Sequence, residues 1–367
     1  MTISSLLTKP TLLLNKQKAI DNIKKMLTKA NQSGVCFRPH FKTHQSAEIG
    51  EWFRELGVKK ITVSSIDMAQ YFADHGWQDI TIAFPINLRQ LSEINQLAAK
   101  IKLNLLVASV EATERLVSDI TSPVHVWLKI DVGYHRTGLD WQDYEGITAV
   151  AHIIARTPTL KLAGLLTHAG QSYQARNREE ALEVYNTALY RLQAGQASLR
   201  NRGIETALSI GDTPTCSLVH SFDGVDEIRP GNFVFYDLMQ AQIGACTFND
   251  IAIAVACPVI AKHRERGQII LYGGAVHFSK EQLWRKDGTP CYGRLARMTH
   301  DGWEALSDAS HITALTQEHG IAQVEPYLLN RVHIGDYLIV LPVHACLTAN
   351  LLKRYLTLDG QWVEMMQ

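Results

Sequence analysis

The chain has 367 residues, 46% of them hydrophobic, and its 36 Lys and Arg are balanced by 36 Asp and Glu. That length can bury a substantial core and suggests two domains, or one large α/β domain with an appendage. The neutral balance gives no support to nucleic acid as a partner, and the apolar run near the start is too short to span a bilayer. The six cysteines, Cys36, Cys216, Cys246, Cys257, Cys291 and Cys346, are scattered and form no CxxC pair. Such spacing argues against a disulfide framework and fits a reducing compartment. The start "MTISSLLTKPTLLLNKQKA" lacks the order of a signal peptide, so a soluble cytoplasmic protein is expected.

In chain order, "KPTLLLN" reads as a strand and "NKQKAIDNIKKMLTKA" as a helix. Eight strand-like runs follow, at 35–40, 59–65, 79–85, 102–109, 124–131, 160–168, 206–211 and 228–235. Most are separated by stretches with helical spacing, such as "NLRQLSEINQLAAK". Apolar strands alternating with helices imply parallel pairing through right-handed crossovers. Eight units in about 200 residues match a (β/α)8 barrel better than an open sheet. The seventh connection, "DTPTCSLVHSFDGVDE", is a weak helix, which leaves the count open by one. After Asp237 the pattern becomes strands and turns, which reads as a mainly antiparallel β-domain. The expected division is a barrel over 12–240, with 1–11 and 241–367 forming the β-domain.

Unusual polar residues collect where the barrel strands end: "RPHFKTH", "KIDVGYHRTG", "LTHAGQSY", "SIGDTPT" and "EIRPGNFVFYD". Active sites of (β/α)8 barrels lie at those carboxyl ends, so the pattern points to an enzyme. Lys42 alone would read as a surface lysine. Its place at the first strand end, with Arg38, His40 and His44 near it in sequence, makes a Schiff-base lysine an equal reading, because neighbouring cations and partial burial favour a neutral amine. Gly211, Asp212, Thr213 and Thr215 suit either a helix cap or a phosphate, and Arg229 with Gly231 could complete an anion site. A lysine and a phosphate cradle in one barrel mouth point to pyridoxal 5'-phosphate (PLP). Arg136 is a candidate partner for a cofactor oxygen, and Asp131 a structural partner for arginine or backbone. His168 is either a satisfied core histidine or a flat ring against a cofactor face. His344 and Cys346, two apart in "LPVHACLTAN", would share one face of a strand and offer a soft pair suited to a divalent metal such as zinc, against the plainer reading of a buried cysteine beside an unrelated histidine.

Together "RPHFKTH", "IDVGYHRTG", "HAGQSY", "SIGDTPT", "EIRPGNFVFYD" and the late "HAC" resemble the D-serine dehydratase / D-threonine aldolase family, over residues 10 to 352 and in the same order. The resemblance implies an alanine-racemase-like PLP enzyme with an N-terminal (β/α)8 TIM barrel and a C-terminal β-domain. By position it implies that Lys42 bears PLP, that Arg136 lies near the ring hydroxyl and that His168 lies beside the ring. It places Gly211, Thr213 and Gly231 in the phosphate segments, aligns Arg229 with the racemase arginine at the pyridine nitrogen, and makes His344 and Cys346 the metal pair. Tyr173 is a further cofactor or substrate contact. Family aldolases tend to carry His-x-Asp at the metal pair and dehydratases His-x-Cys, so "HAC" leans toward β-elimination from a small D-3-hydroxy amino acid. Retro-aldol cleavage, racemisation and a PLP carrier without turnover are the alternatives. A homodimer is implied by the same resemblance.

Overall fold

The structure is a computed structural model that describes residues 3–367. It divides into two compact units, one from Lys24 to Gly231 and one joining the chain up to Ile23 with Asn232–Gln367. Strand β1 (Thr11–Leu14) precedes helix α1 (Lys16–Gln32), which runs through the division.

The Lys24–Gly231 unit then runs β2 (Cys36–Phe37), α2 (Ala47–Glu55), β3 (Ile61–Val63), α3 (Ile66–Asp74), β4 (Asp79–Pro85), α4 (Leu91–Ala98), β5 (Lys102–Val107) and α5 (Val110–Asp119). It continues with β6 (Val124–Asp131), β7 (Leu139–Asp140), α6 (Tyr144–Ala155), β8 (Leu160–Leu166), α7 (Arg178–Arg200), β9 (Ala207–Ile210), α8 (Thr213–Leu218) and β10 (Glu227–Ile228). Among the described residues eight parallel strands lie in the order β2-β10-β9-β8-β6-β5-β4-β3, with β7 a short spur on β6. A parallel bridge between His40 and Thr62 closes the ring. There Phe41 N donates to Thr62 O at 2.8 Å and Thr62 N to Pro39 O at 2.9 Å. This is the expected (β/α)8 barrel. The weak seventh connection does contain a helix, α8. The eighth strand is shorter than 228–235, because Pro230 lacks an N–H and Asn232–Val234 turns into a 3-10 helix.

The punctuation is local. Ser46, Ser65, Ser109, Asn177 and Asp212 each sit just after a strand or loop, in extended backbone, and cap the first turn of α2, α3, α5, α7 and α8. Between those caps the apolar strand residues Ile80, Leu103, Val126, Leu128, Leu165 and Leu208 are at most 1% exposed. Burial of each such side chain is worth about 1.5–3 kcal/mol.

One layer of this barrel is ionic. Arg38 is buried, with Nε 2.6 Å from Glu227 Oε2 and Nη1 2.6 Å from Asp79 Oδ1. Ser209 Oγ donates to Glu227 Oε1 at 2.8 Å and accepts from Arg229 Nε at 2.7 Å. The layer therefore ties β2, β4, β9 and β10 across the barrel.

In the other unit come α9 (Leu238–Ile243), β11 (Ile253–His263), β12 (Gln268–Tyr272), α10 (Ala275–Phe278), β13 (Leu283–Trp284), β14 (Pro290–Cys291), β15 (Gly293–Thr299) and β16 (Gly302–Ala305). They are followed by β17 (His311–Leu315), β18 (His319–Gln323), α11 (Pro326–Arg331), β19 (Tyr337–Pro342), α12 (Ala345–Leu352), β20 (Arg354–Thr357) and β21 (Trp362–Glu364). Strands β12-β18-β17-β15-β19-β11 pair in that order, and β11 pairs back to β12 in antiparallel register, closing a second ring. Strand β1 joins it, antiparallel to β11 and parallel to β20. Among the described residues no helix is long and apolar enough to cross a membrane, and none of the six cysteines is in a disulfide.

Two consequences for stability follow. Arg38→Ala leaves Glu227 buried without its cation and Asp79 with Lys102 as its remaining cation, and urea unfolding should show a loss of about 3–5 kcal/mol. His44, buried against Phe41, Phe53 and Phe72, has its pKa lowered by burial from 6.5 to about 3. The unfolded chain takes up this proton below pH 6.5 while the folded chain does not. Its contribution is therefore complete above that pH and falls by about 1.4 kcal/mol per pH unit as the pH drops toward the folded value. His44→Phe should flatten the stability–pH slope between pH 6 and 4 by about that amount, whatever its cost at neutral pH.

Candidate active site

Lys42 sits in the turn after the closing bridge and is exposed, while Phe41 and Thr43 on either side are buried. Its backbone N lies 3.4 Å from His40 Nδ1. Two of the basic neighbours that the sequence puts beside it face elsewhere. Arg38 turns into the ionic layer between Asp79 and Glu227. The His44 ring stacks on Phe53, and its Nδ1 accepts the Ser46 N–H at 3.2 Å. Proximity in sequence misleads here because the turn sends successive side chains in different directions.

The companions of Lys42 come from other strands. Burial lowers the pKa of His40 well below the ordinary histidine value, with Lys42, Arg229 and His168 adding to the effect. His168, after β8, is lowered to about 3 by burial, against a hydrogen bond that favours the charged ring, and Lys42, Arg136 and Lys129 lower it further. Its Nδ1 lies 2.6 Å from Gly211 O. A carbonyl only accepts, so Nδ1 carries the proton and Nε2 is the free lone pair of a neutral ring. The hydroxyl of Tyr173 accepts the Thr213 N–H at 3.2 Å, so that amide is already engaged. The Tyr173 and His168 rings lie 6.0 Å apart. The Arg136 guanidinium lies over the Tyr134 ring, 5.0 Å from its centroid.

The glycines have steric reasons. A Cβ on Gly211 would come within 2.8 Å of Arg229 Cβ, and one on Gly231 within 2.9 Å of His40 O. Both let neighbouring strand ends meet. Asp212 caps α8, accepts from Ser172 Oγ at 2.7 Å and from Thr215 N at 3.0 Å, and is buried. Asp131 Oδ1 accepts the N–H groups of Gly133, Tyr134 and His135, so it shapes the loop that presents Arg136.

Arg229 is fully enclosed, with Nη2 donating to Thr167 O at 2.6 Å and Nε to Ser209 Oγ. Burial lowers it to about 10, which still leaves it charged at neutral pH. The sequence reading missed Lys129, which is 6% exposed and donates to Ile130 O at 3.0 Å. Burial and the charges of Arg229 and Arg136 bring it to about 7. The available signal was its place two residues before the end of β6, inside an otherwise apolar run.

Lys42, Lys129, Arg136 and Arg229 thus act on one another or on the same two histidines. The carboxylates Asp131 and Asp212 that face them are spent on backbone and hydroxyl donors. This cationic excess fits an anionic group such as the phosphate of PLP.

In the second unit the expectation for His344 and Cys346 needs correction. β19 ends at Pro342, His344 is the N-cap residue of α12 and Cys346 lies in its first turn. Shared strand facing does not bring them together; the start of a helix does. Burial would lower His344, but a hydrogen bond to Cys346 and the charges of Cys346, Asp237 and Glu281 outweigh it and raise the pKa to about 9. The imidazole and the sulfur hydrogen-bond to one another, and a soft divalent cation suits the same two donors. Among the described residues no group of three or more His, Cys, Asp or Glu is placed to hold a metal. The pair therefore offers two protein ligands.

The family described as alanine racemase, N-terminal domain, matches residues 14–238, and the family described as "Putative serine dehydratase domain" matches residues 252–358. The D-threo-3-hydroxyaspartate dehydratase of Delftia sp. (strain HT23) is 30% identical, covering 96% of this chain and 94% of that protein. The D-serine dehydratase of Dictyostelium discoideum is 28% identical, covering 94% of this chain and 92% of its own length. The solved structure of the Delftia dehydratase superposes with a TM-score of 0.90 over 99% of each chain, and a cysteine-to-alanine mutant of it, solved in the metal-free form, with 0.89. A barrel that gathers Lys42, Arg136, His168 and Arg229, followed by a β-unit with a His-x-Cys pair, therefore places the chain in the alanine racemase N-terminal domain family, joined to the serine dehydratase domain.

Proposed function

We propose that the protein is a PLP- and metal-dependent lyase that removes water from a D-3-hydroxy amino acid and yields a 2-oxo acid and ammonia. The observation that carries this reading is the imidazole–thiol pair of His344 and Cys346 at the start of α12. A cofactor-only racemisation has no use for it. Two relatives that match more than nine-tenths of the chain are named as dehydratases of such substrates, which supports the same reading.

When bound, PLP supplies an electron sink for charge at the substrate Cα, and a divalent metal, zinc in this reading, supplies Lewis acidity toward the leaving hydroxyl. The chain's own residues do the rest. Lys42 would anchor the cofactor, and its neutral amine would take the proton from the substrate Cα. Arg136 holds the ring hydroxyl oxygen, while Gly211, Thr213 and Gly231 surround the phosphate. Arg229 stays charged at the far side of the ring, held by Thr167 and Ser209. His168 presents a neutral ring that takes no proton at working pH, and Tyr173 contacts cofactor or substrate beside it. His344 and Cys346 hold the metal. The water lost on elimination is regained when the enamine hydrolyses, so the net products are 2-oxo acid and ammonia. The scattered cysteines, none in a disulfide, fit a cytoplasmic enzyme, and we place it there as a homodimer.

The test is product analysis with D-serine, D-threonine and 3-hydroxy-D-aspartate, with and without chelator, beside an absorbance scan and borohydride reduction. Reduction should label Lys42, and Lys42→Ala should abolish both the label and turnover. Chelation should lower turnover on the order of 10³-fold while the Lys42 chromophore persists. Undiminished turnover in chelator, or glycine and an aldehyde as products, would overturn the reading.

A further inference from the structure

The His344–Cys346 pair is held by a segment far from it in sequence. Asp237 is fully buried and caps α9, its Oδ1 accepting the Gln240 N–H at 3.0 Å. Its Oδ2 accepts two more donors: the Ala345 N–H at 2.9 Å and Asn232 Nδ2 at 2.6 Å. Ala345 is the residue between the two metal donors. The same Nδ2 of Asn232, a residue 3% exposed, donates to Cys346 Sγ at 3.7 Å. An amide nitrogen carries two hydrogens, so one can serve the carboxylate and the other the sulfur. The carboxylate also fixes the orientation of the amide, since an amide oxygen turned toward Asp237 would meet only acceptors.

Three further observations belong to this arrangement. Tyr236, immediately before Asp237, has φ +49°, a left-handed conformation that a bulky side chain adopts only when its surroundings impose it. Met239 N donates to Val343 O at 3.3 Å, a second stitch between the same two segments. Asn232 Oδ1 is buried and has no hydrogen-bond partner, so the amide keeps an acceptor in reserve.

We infer that Asn232 and Asp237 are positioning residues for the metal pair: Asp237 fixes the backbone between the two donors, and Asn232 holds the Cys346 sulfur by an N–H donor. The inference rests on the metal reading given above. A hydrogen bond to a thiolate draws electron density from sulfur, so a bound cation remains the stronger Lewis acid. Loss of the donor should loosen the sulfur and make it a stronger electron donor.

The test uses Co²⁺ as the probe, titrated into metal-depleted full-length protein carrying PLP. Wild type should show a thiolate-to-cobalt charge-transfer band that Cys346→Ala removes. Asn232→Ala should weaken Co²⁺ binding about 10- to 100-fold in competition with a chromophoric chelator. It should also move the band to longer wavelength and leave the Lys42 chromophore in place. Asp237→Asn should weaken binding further. Should that variant fail to fold, Asn232→Ala still decides the matter, because it removes one donor and keeps the capping carboxylate. An Asn232→Ala protein with wild-type affinity and an unmoved band overturns the inference alone. A wild-type protein without a Cys346-dependent band overturns the metal reading and the inference with it.

Discussion

The barrel unit depends on the placement of one guanidinium. Arg38 leaves the first barrel strand into the interior, where Glu227 from the eighth strand and Asp79 from the third hold it at 2.6 Å each. Taking three charges out of water costs several kcal/mol per ion before their attraction offsets it, so the layer adds little net stability over an apolar core. Its value is geometric. It fixes how strand one sits between its neighbours, and the next residues, Pro39 to Phe41, then close the ring on Thr62. Lys42 follows directly on that closure, and its outward placement is a consequence of it.

The same layer reaches the other side of the site. Glu227 takes the Ser209 hydroxyl, Ser209 takes Arg229 Nε, and Thr167 takes Nη2, so Arg229 has little freedom. Around it the mouth collects cations faster than carboxylates, and the histidines respond by staying neutral. Burial is the first cause for both His40 and His168, and the neighbouring positive charges reinforce it. A region that keeps its histidines uncharged to limit its own repulsion is one that welcomes an anion.

The β-unit solves a different problem by similar means. Two donors two residues apart could be displayed on any strand, but here they straddle the beginning of a helix. That geometry needs the backbone at Ala345 to be pinned, and Asp237 supplies the pin while capping a helix of its own. A single buried carboxylate thereby serves as cap, backbone anchor and partner for Asn232.

Much of the architecture was legible in the sequence. Strand runs alternating with helical patterns gave eight units, and the cap reading of Asp212 holds at the start of α8. The polar strand ends pointed to the barrel mouth because parallel barrels place every such end on one face. These signals are local, or follow from one topology, so periodicity and composition carry them. The sequence could not show which basic residue faces which partner. Arg38 and Glu227 are 189 positions apart, and Asn232 and Cys346 are 114 apart. Lys129 looked like one cation in an apolar strand, and His344 and Cys346 looked like strand neighbours. Side-chain direction at a turn or a helix start is set by contacts with distant segments, so only the tertiary structure could turn Arg38 away from Lys42 and bring Asn232 to the sulfur.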